Sequence, residues 1–239
     1  MTDPYADIRA AAAEACHAIA EAGLVLLAFG NASAVDRARG VFAIKPSGIP
    51  CATLSPEQCV VVAIDDGRIV AGDLRPSSDE PTHRLLYQRL AGIGGVVHTH
   101  SESATAWAQA GRAIPCLGTT HADHFRGEVP VTRALTGSEI DGDYEWNTGL
   151  VIAELYAAGL DPREAPGVLV RSHGPFVWGD TAAQAAVHAE AVEAVARMAA
   201  ATLAIDPAVP PLDGRLTARH FDRKHGSGAY YGQRTEVSG

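Results

Sequence analysis

The sequence predicts an α/β fold in which helices pack on an antiparallel or mixed β-sheet. Two kinds of pattern support this class: apolar residues recur at helical spacing in several segments, and short apolar runs with turn residues between them indicate strands and hairpins. The chain has 239 residues, of which 47% are hydrophobic, and this is sufficient for one domain with a sizeable core. We therefore expect residues 1–239 to form a single domain.

The N-terminal segment predicts one helix followed by two short strands. Apolar residues recur at helical spacing in residues 5–22, and Gly23 stands where a helix C-cap is expected. Residues 24–29 and 41–44 have the apolar composition of short strands. The Gly-Asn-Ala-Ser stretch between them is expected to be a loop.

The next segment predicts a β-hairpin and then a second helix. Residues 60–64 and 69–70 are apolar and flank a turn in which Gly67 supplies the positive φ that a tight turn requires. Residues 77–81 combine polar capping side chains with an early proline, which is typical of a helix start. His83 follows one turn into this helix.

The remaining segments alternate between strands and helices. A strand at residues 95–98 is followed by a helix at 103–110 that Gly111 closes. Longer helical patterns and two further strands are expected at residues 145–158, 168–170, 176–179 and 181–203. Residues 204–214 contain three prolines and predict a loop before a basic C-terminal segment that contains histidine.

Composition excludes several classes of function. The formal net charge is −9 and the basic residues are scattered, so nucleic acid is not an expected partner. No apolar run approaches the ~20 residues that span a bilayer and no leader pattern is present, so we expect a cytoplasmic protein without a membrane partner. The four cysteines, Cys16, Cys51, Cys59 and Cys116, have no paired spacing and are expected to be reduced thiols.

The stretch GGVVHTHS ends an apolar strand with two histidines on alternate residues. Side chains at i and i+2 of a strand lie on the same face, so His98 and His100 converge on one volume. His173 also follows an apolar strand, before a Gly-Pro turn. Three imidazoles leave an open coordination position, which is typical of a catalytic zinc site, although Mn²⁺, Fe²⁺ or Co²⁺ could be accepted. His17, His83 and His188 lie in helical patterns and are expected to be ordinary.

Seven segments together resemble the L-ribulose-5-phosphate 4-epimerase family of the class II aldolase/epimerase superfamily. In chain order they are GNASAVDRARGVFAIKPSG, RPSSDEPTHRLLYQ, GGVVHTHSESATAWAQAG, GTTHADHFRGEVPVT, GDYEWNTG, VLVRSHGPFVWG and RKHGSGAYYGQ. The resemblance implies a three-layer α/β/α sandwich around a mainly antiparallel sheet. It also implies a C4-symmetric homotetramer with active sites between subunits, zinc as the cofactor and a phosphorylated ketopentose as the substrate.

The resemblance also assigns roles to residues. It makes His98, His100 and His173 the metal ligands, with Asp79 as a fourth ligand in the resting site. It makes Asp123 and Tyr231 the acid/base pair, Tyr231 reaching the site of an adjacent subunit. The positions that match substrate and phosphate binding are Gly30, Asn31, Lys45, Ser47, Gly48, Ser77 and Ser78. Those that line the shared cleft are Thr119, Glu145, His220 and Arg223. His124 and Arg171 depart from the family pattern, which has Tyr and His there.

The implied chemistry requires these groups. C4 of a 2-ketopentose phosphate is not adjacent to the carbonyl, so it cannot be inverted by simple deprotonation. The C3–C4 bond must break by retro-aldol cleavage and form again after the aldehyde rotates. A metal stabilises the enediolate as a Lewis acid, and two proton-transfer groups serve the two faces. The alternatives are an aldolase of the L-fuculose-phosphate type, which would release the fragments, and a non-catalytic metal-binding protein of the same fold.

Overall fold

The fold is a seven-stranded sheet between two layers of helices. The structure, a computed structural model, describes residues 3–226 and 229–230. In these residues the strands are β1 Asn31–Asp36, β2 Val41–Ile44, β3 Val60–Ala63, β4 Ile69–Ala71, β5 Gly95–His98, β6 Gly167–Leu169 and β7 Pro175–Gly179. The helices are α1 Ala6–Glu21, α2 Glu80–Arg89, α3 Glu102–Ala110, α4 Thr119–Ala122, α5 Gly137–Asp141, α6 Tyr144–Ala157, α7 Ala182–Ile205 and α8 Gly214–His225.

The strand order in the sheet is β4-β3-β2-β1-β5-β7-β6. Every neighbouring pair is antiparallel, which agrees with the predicted sheet. The hairpin between β3 and β4 is where the sequence predicts it, and Gly67 has a φ of 77°. Strand β5 lies near the centre of the sheet, between β1 and β7, so the histidine pair at its end is surrounded by secondary structure.

Each face of the sheet carries its own apolar core. Helices α1, α3 and α7 cover one face, and α2 and α6 cover the other. Successive residues of β5 illustrate the alternation, because Val97 belongs to the first core and Val96 to the second. The expected α/β/α sandwich is confirmed.

The two glycines that precede the histidine pair allow α7 to begin directly against β5. A Cβ at Gly95 would lie 2.3 Å from the Cα of Ala182, and one at Gly94 would lie 1.9 Å from the carbonyl oxygen of Asp180. Neither position has room for a side chain. The close packing fixes the start of α7 on the strand that carries His98.

The prediction for residues 24–30 was wrong. Residues 24–29 do not form a strand, and β1 instead begins at Asn31, inside the expected Gly-Asn-Ala-Ser loop. Leu27 is 78% exposed with a φ of 55°, and Gly30 has a φ of 87°, so the backbone turns there instead of extending. Apolar composition suggested a strand, but these side chains do not alternate between core and solvent.

Three helices were not predicted. Helices α4 and α5 have only four and five residues, which is too short for a periodic pattern to be recognised. Helix α8 occupies the basic C-terminal segment and begins after Asp213, whose side chain accepts a hydrogen bond from the amide of Arg215. This Asp-Gly start was available in the sequence as a capping signal.

Two expectations about composition can be compared with the structure. All four cysteines are buried free thiols, as expected. In the part of the chain that the structure describes, no helix has the length and apolar composition that crossing a lipid bilayer requires.

Candidate metal centre and active site

Three histidines from two distant parts of the sequence meet at one end of β5 and β7. His98 ends β5, His100 follows two residues later, and His173 lies in the turn before β7. Each offers one ring nitrogen, and these three nitrogens lie within 4.8 Å of one another. The ring centroids are separated by 4.7 to 5.0 Å. The structure therefore brings together the three residues that the sequence predicts as metal ligands.

The backbone and an aromatic ring fix the orientation of His98. Its Nδ1 lies 2.9 Å from the carbonyl oxygen of Pro175, so Nδ1 carries the proton and Nε2 presents a lone pair. The ring of Phe176 stacks on His98 with centroids 4.0 Å apart and an interplanar angle of 14°. Nε2 is thereby directed toward Nε2 of His100, 3.0 Å away. A bond from a ligating imidazole to a backbone carbonyl is a common feature of metal sites.

The electrostatic environment keeps these imidazoles neutral, which is the form that binds metal. Burial lowers the pKa of His98 well below its ordinary value, and the neighbouring His173 and His100 lower it further. Burial also lowers the pKa of His100 and of His173, although Asp79 opposes the shift in both. Nδ1 of His173 is buried and has no hydrogen-bond partner in the part of the chain that the structure describes. Neutral, converging nitrogen donors fit a divalent cation, so this group could hold a metal ion.

Asp79 lies beside the three histidines but is not one of the converging donors. It immediately precedes α2, and its Oδ2 accepts a hydrogen bond of 2.6 Å from Nδ2 of Asn31. Asn31 is the residue of β1 that pairs with His98. This places the carboxylate next to the metal centre, and its predicted role as fourth ligand stays a prediction.

The predicted phosphate-binding residues gather at the start of α2. The segment after β2 and the segment before α2 are joined by hydrogen bonds from the amide of Ser47 to the carbonyl of Arg75 and from the amide of Ser77 to the carbonyl of Lys45. Asn31 Nδ2 also donates to Ser77 Oγ over 3.1 Å. Lys45 is buried, and its Nζ contacts the carbonyls of Ala28 and Pro46 at 3.3 and 3.2 Å. The remaining members of this set are Gly30, Gly48 and Ser78, which lie in the same two segments or at the start of β1.

Gly30 is required at its position by a close approach. A Cβ there would lie 3.1 Å from the carbonyl oxygen of His98 and 2.9 Å from a methyl carbon of Val25, and the φ of 87° also disfavours a side chain. The ring of Phe29, the residue before it, lies 5.9 Å from that of His100. The predicted substrate-binding loop therefore reaches the metal centre.

Asp123 belongs to a second group of charged residues, built from α4 and α8. Its Oδ1 accepts hydrogen bonds from Arg223 Nε at 3.0 Å and His220 Nδ1 at 3.1 Å, and its Oδ2 accepts one from Arg223 Nη2 at 2.7 Å. Lys224 Nζ is 3.8 Å from Oδ2. Burial alone would raise the pKa of Asp123, but the hydrogen bonds from Arg223 and His220 hold it below its ordinary value. Thr119 begins the same helix, and its carbonyl accepts the amide of Asp123.

Within one chain the histidines and the Asp123 group lie on opposite faces of the sheet. His98 alternates with Val97 and stacks on Phe176, which belongs to the core under α2 and α6. Phe125, two residues after Asp123, is part of the core under α1, α3 and α7. The sequence-predicted site is thus divided into two groups in a single subunit. Tyr231 lies outside the described residues.

Other residues near the histidines were not identified from the sequence. The ring of Tyr144 lies 6.3 Å from that of His173, beside Glu145, so the predicted cleft residue Glu145 is on the histidine side of the sheet. Phe176 stacks on His98 as described above. His83 was expected to be ordinary, but its ring is fully buried and lies edge-on to Phe176, 6.1 Å away. The sequence signal that could have identified Tyr144 and Phe176 is the presence of aromatic residues close to the histidine and cleft motifs.

The fold and this site define a class of protein. A family model described as the class II aldolase and adducin N-terminal domain matches residues 10–200, and the chain belongs to this family. Two curated relatives are more specific. L-ribulose-5-phosphate 4-epimerase UlaF of Salmonella paratyphi B is 54% identical over 212 residues, which are 89% of this chain and 92% of the relative. The protein of the same name from Salmonella paratyphi C is 53% identical over the same lengths.

Solved structures share the fold. An L-fuculose 1-phosphate aldolase has a TM-score of 0.76 at 22% identity and covers 93% of this chain and 97% of its own. YgbL of Escherichia coli, described as a putative aldolase/epimerase/decarboxylase, has a TM-score of 0.71 at 22% identity over 91% of this chain and 99% of its own. At these identities the likeness concerns the fold alone.

Proposed function

We propose that this protein is a zinc-dependent epimerase that interconverts L-ribulose 5-phosphate and D-xylulose 5-phosphate by inversion at C4. The observation that carries the proposal is the convergence of three imidazole nitrogens within 4.8 Å beside the segments that contain Lys45 and Ser77. The relatives that are 54% and 53% identical bear the name of this activity. A metal centre beside an anion-binding helix start is the arrangement that a phosphorylated ketose requires.

His98, His100 and His173 would hold the metal, with Asp79 as the candidate fourth ligand. When bound, it supplies a Lewis acid for the negative charge that develops on the ketose oxygens when the C3–C4 bond breaks. Zinc suits three neutral imidazoles better than the harder divalent cations do. The protein contributes the orientation of the donors, through the bond from His98 to the Pro175 carbonyl and the stack on Phe176.

The phosphate is anchored by Lys45, Ser47, Gly48, Ser77 and Ser78 at the start of α2. A helix N-terminus offers free amide donors and a partial positive charge, and the hydroxyls add further donors. The anchor has to hold the aldehyde fragment while it rotates, because a released fragment would make the enzyme an aldolase. Gly30 and Asn31 connect this anchor to the metal centre.

Proton transfer comes from Asp123 and Tyr231 of a second copy of the chain. The support for this assignment is the position of the Asp123 group on the opposite face of the sheet from its own histidines. A homotetramer whose subunits exchange these groups places an acid/base pair opposite each metal. Thr119, His220 and Arg223 accompany Asp123, whereas Glu145 stays with the histidines of its own chain.

An NMR time course with L-ribulose 5-phosphate tests the activity. We expect D-xylulose 5-phosphate to appear, the reaction to stop when a chelator removes the metal, and zinc to restore it. Accumulation of dihydroxyacetone and glycolaldehyde phosphate would instead identify an aldolase. Unchanged substrate in the presence of bound zinc would identify a non-catalytic metal-binding protein.

Hybrid oligomers test the shared site. Asp123→Asn and His98→Asn are each expected to be inactive as pure proteins. If each site takes its histidines from one copy and Asp123 from another, random mixing of equal amounts should restore about one quarter of wild-type activity. Unmixed Asp123→Asn protein at the same total concentration is the control. A mixture that stays as inactive as its components would place both groups in the same subunit.

A further inference from the structure

A row of polar side chains connects α2 to β1 beneath the metal centre. Asp79, His83 and Tyr87 are spaced four residues apart, so they lie on one face of the helix. They face Asn31 and Ser33, which are two residues apart and lie on one face of the strand. We call these five residues the α2–β1 polar row. Such a row inside an apolar sandwich must satisfy its own hydrogen bonds.

The contacts of the row are short and mostly buried. Asn31 Nδ2 donates to Asp79 Oδ2 over 2.6 Å. Ser33 Oγ lies 2.7 Å from Nδ1 of His83 and 2.7 Å from the hydroxyl of Tyr87. Ser33 and His83 are 0% exposed and Tyr87 is 2% exposed, so water does not reach these groups.

The direction of these bonds determines which nitrogen of His83 carries hydrogen. Ser33 Oγ is the one hydrogen-bond partner of the Tyr87 hydroxyl among the described residues. The Tyr87 hydroxyl then donates to Ser33 Oγ, and the single Ser33 hydrogen is left to donate to Nδ1 of His83. The opposite direction would leave the Tyr87 hydrogen without an acceptor among its contacts here. Nδ1 of His83 is therefore an acceptor, and Nε2 carries the hydrogen.

The Nε2–H of His83 needs an acceptor. Nε2 is buried and has no hydrogen-bond partner among the described residues, and burial keeps the ring neutral, with a pKa lowered to about 3. The ring meets Phe176 edge-on, so that side offers no acceptor. Asp79 lies one helical turn earlier on the same face and is the negative charge that acts on His83. A carboxylate accepts a hydrogen bond more strongly than the neutral amide oxygen of Asn31 does.

We propose that His83 is a positioning residue for Asp79: Nδ2 of Asn31 already donates to one carboxylate oxygen, and the buried Nε2–H of His83 becomes the second donor when Asp79 serves as the fourth ligand. The two donors belong to α2 and to β1, so both elements would set the orientation of the carboxylate. Ser33 and Tyr87 act one step further away, because they fix the tautomer of His83. This inference rests on the metal site of the proposed function and adds the residues that orient its candidate fourth ligand.

Two substitutions separate the nitrogens of His83. The side-chain nitrogen of Gln occupies about the place of Nε2, and the amide of Asn reaches only as far as Nδ1. We expect His83→Asn to weaken zinc binding about 10- to 100-fold, the range seen when a group that supports a ligand is lost, and His83→Gln to stay within about threefold of wild type. Competition with a chromophoric chelator measures the affinity without reference to activity.

The matched control is His188→Gln. His188 is also a buried imidazole, and its Nδ1 contacts the carbonyl of Trp178 at 2.6 Å, away from the histidine group. We expect it to leave zinc affinity unchanged. In the Asp79→Asn background, His83→Asn should weaken zinc binding no further, because the carboxylate on which it acts is gone.

The outcomes are distinguishable. An equal loss of zinc affinity in His83→Asn and His83→Gln, or no loss in either variant, would overturn the positioning role of His83. The proposed function would still stand in both cases, because the wild-type protein binds zinc. A wild-type protein that binds no zinc would overturn both. NMR of ¹⁵N-histidine-labelled wild-type protein needs no variant: a hydrogen on Nε2 of His83 supports the assignment, and one on Nδ1 contradicts it.

Discussion

Gly95 provides a direct test of how closely α7 packs on the strand that ends at His98. In Gly95→Ala, the new Cβ would lie 2.3 Å from Cα and 2.5 Å from the amide nitrogen of Ala182. Carbon atoms pack at about 3.5–4.0 Å, so the start of α7 would have to move by more than ~1 Å. Both obstructing atoms belong to the backbone, so rotation of a side chain cannot relieve the overlap. We expect a loss of about 3 kcal/mol, the upper end of the usual cost of overpacking.

Urea unfolding followed by tryptophan fluorescence and far-UV circular dichroism, at one fixed protein concentration, measures this loss. Gly127→Ala is the matched control, because a Cβ there meets nothing within 4 Å and the φ of Gly127 is not positive. The control should stay within about 0.5 kcal/mol of wild type. If Gly95→Ala unfolded at the same urea concentration as the control, the packing of α7 on β5 would be looser than described.

Two further predictions concern catalysis. Arg223 helps to hold the pKa of Asp123 below its ordinary value, so Arg223→Gln should raise that pKa and move the acid limb of the kcat/KM profile to higher pH, because a base must be ionised. Arg68→Gln, which removes an exposed pair with Asp66 far from this group in sequence, should leave the limb in place. Lys45→Met should raise KM for L-ribulose 5-phosphate about tenfold or more, with a smaller effect on an unphosphorylated ketose, because one cationic contact to the phosphate is lost. An equal rise in KM for both substrates would show that Lys45 does not contact the phosphate.

The group of three histidines could be predicted from the sequence because its signal is local. Two histidines at i and i+2 at the end of a strand must lie on the same face of the sheet. A third histidine, His173, follows an apolar strand before a Gly-Pro turn, so a neighbouring strand can bring it beside the other two. The structure brings these residues together as predicted. Most of the elements that position them were also predicted, because their apolar spacing extends over enough residues to identify helix or strand. Residues 24–29 were wrongly predicted to be a strand because a loop with exposed apolar side chains can have the same amino-acid composition as a buried strand.

The division of the site between two faces could not be derived from spacing. Asp123 and His220 are 97 positions apart in sequence, and their contact depends on how α8 packs against α4, which in turn contacts α7. No local sequence pattern predicts on which face of the sheet a short helix will pack. The α2–β1 polar row escaped prediction for a related reason. The spacing of His83 in α2 is that of an ordinary helical residue, and only the position of Ser33 on the neighbouring strand reveals its buried contact.

The arrangement of the two groups has a consequence for the proposed function, because the candidate metal donors and the candidate acid/base residue Asp123 lie on different faces of the sheet. The histidines stand on β5 and on the turn before β7, and their orientation depends on contacts within one chain, to Pro175 and Phe176. The Asp123 group depends on α4 and α8 on the other face. One subunit contains the three converging histidines, whereas under the proposed function proton transfer would require a second copy. If the site is shared as proposed, we expect dissociation into subunits to abolish turnover and to leave zinc bound, and comparison of activity and zinc content before and after dissociation measures both.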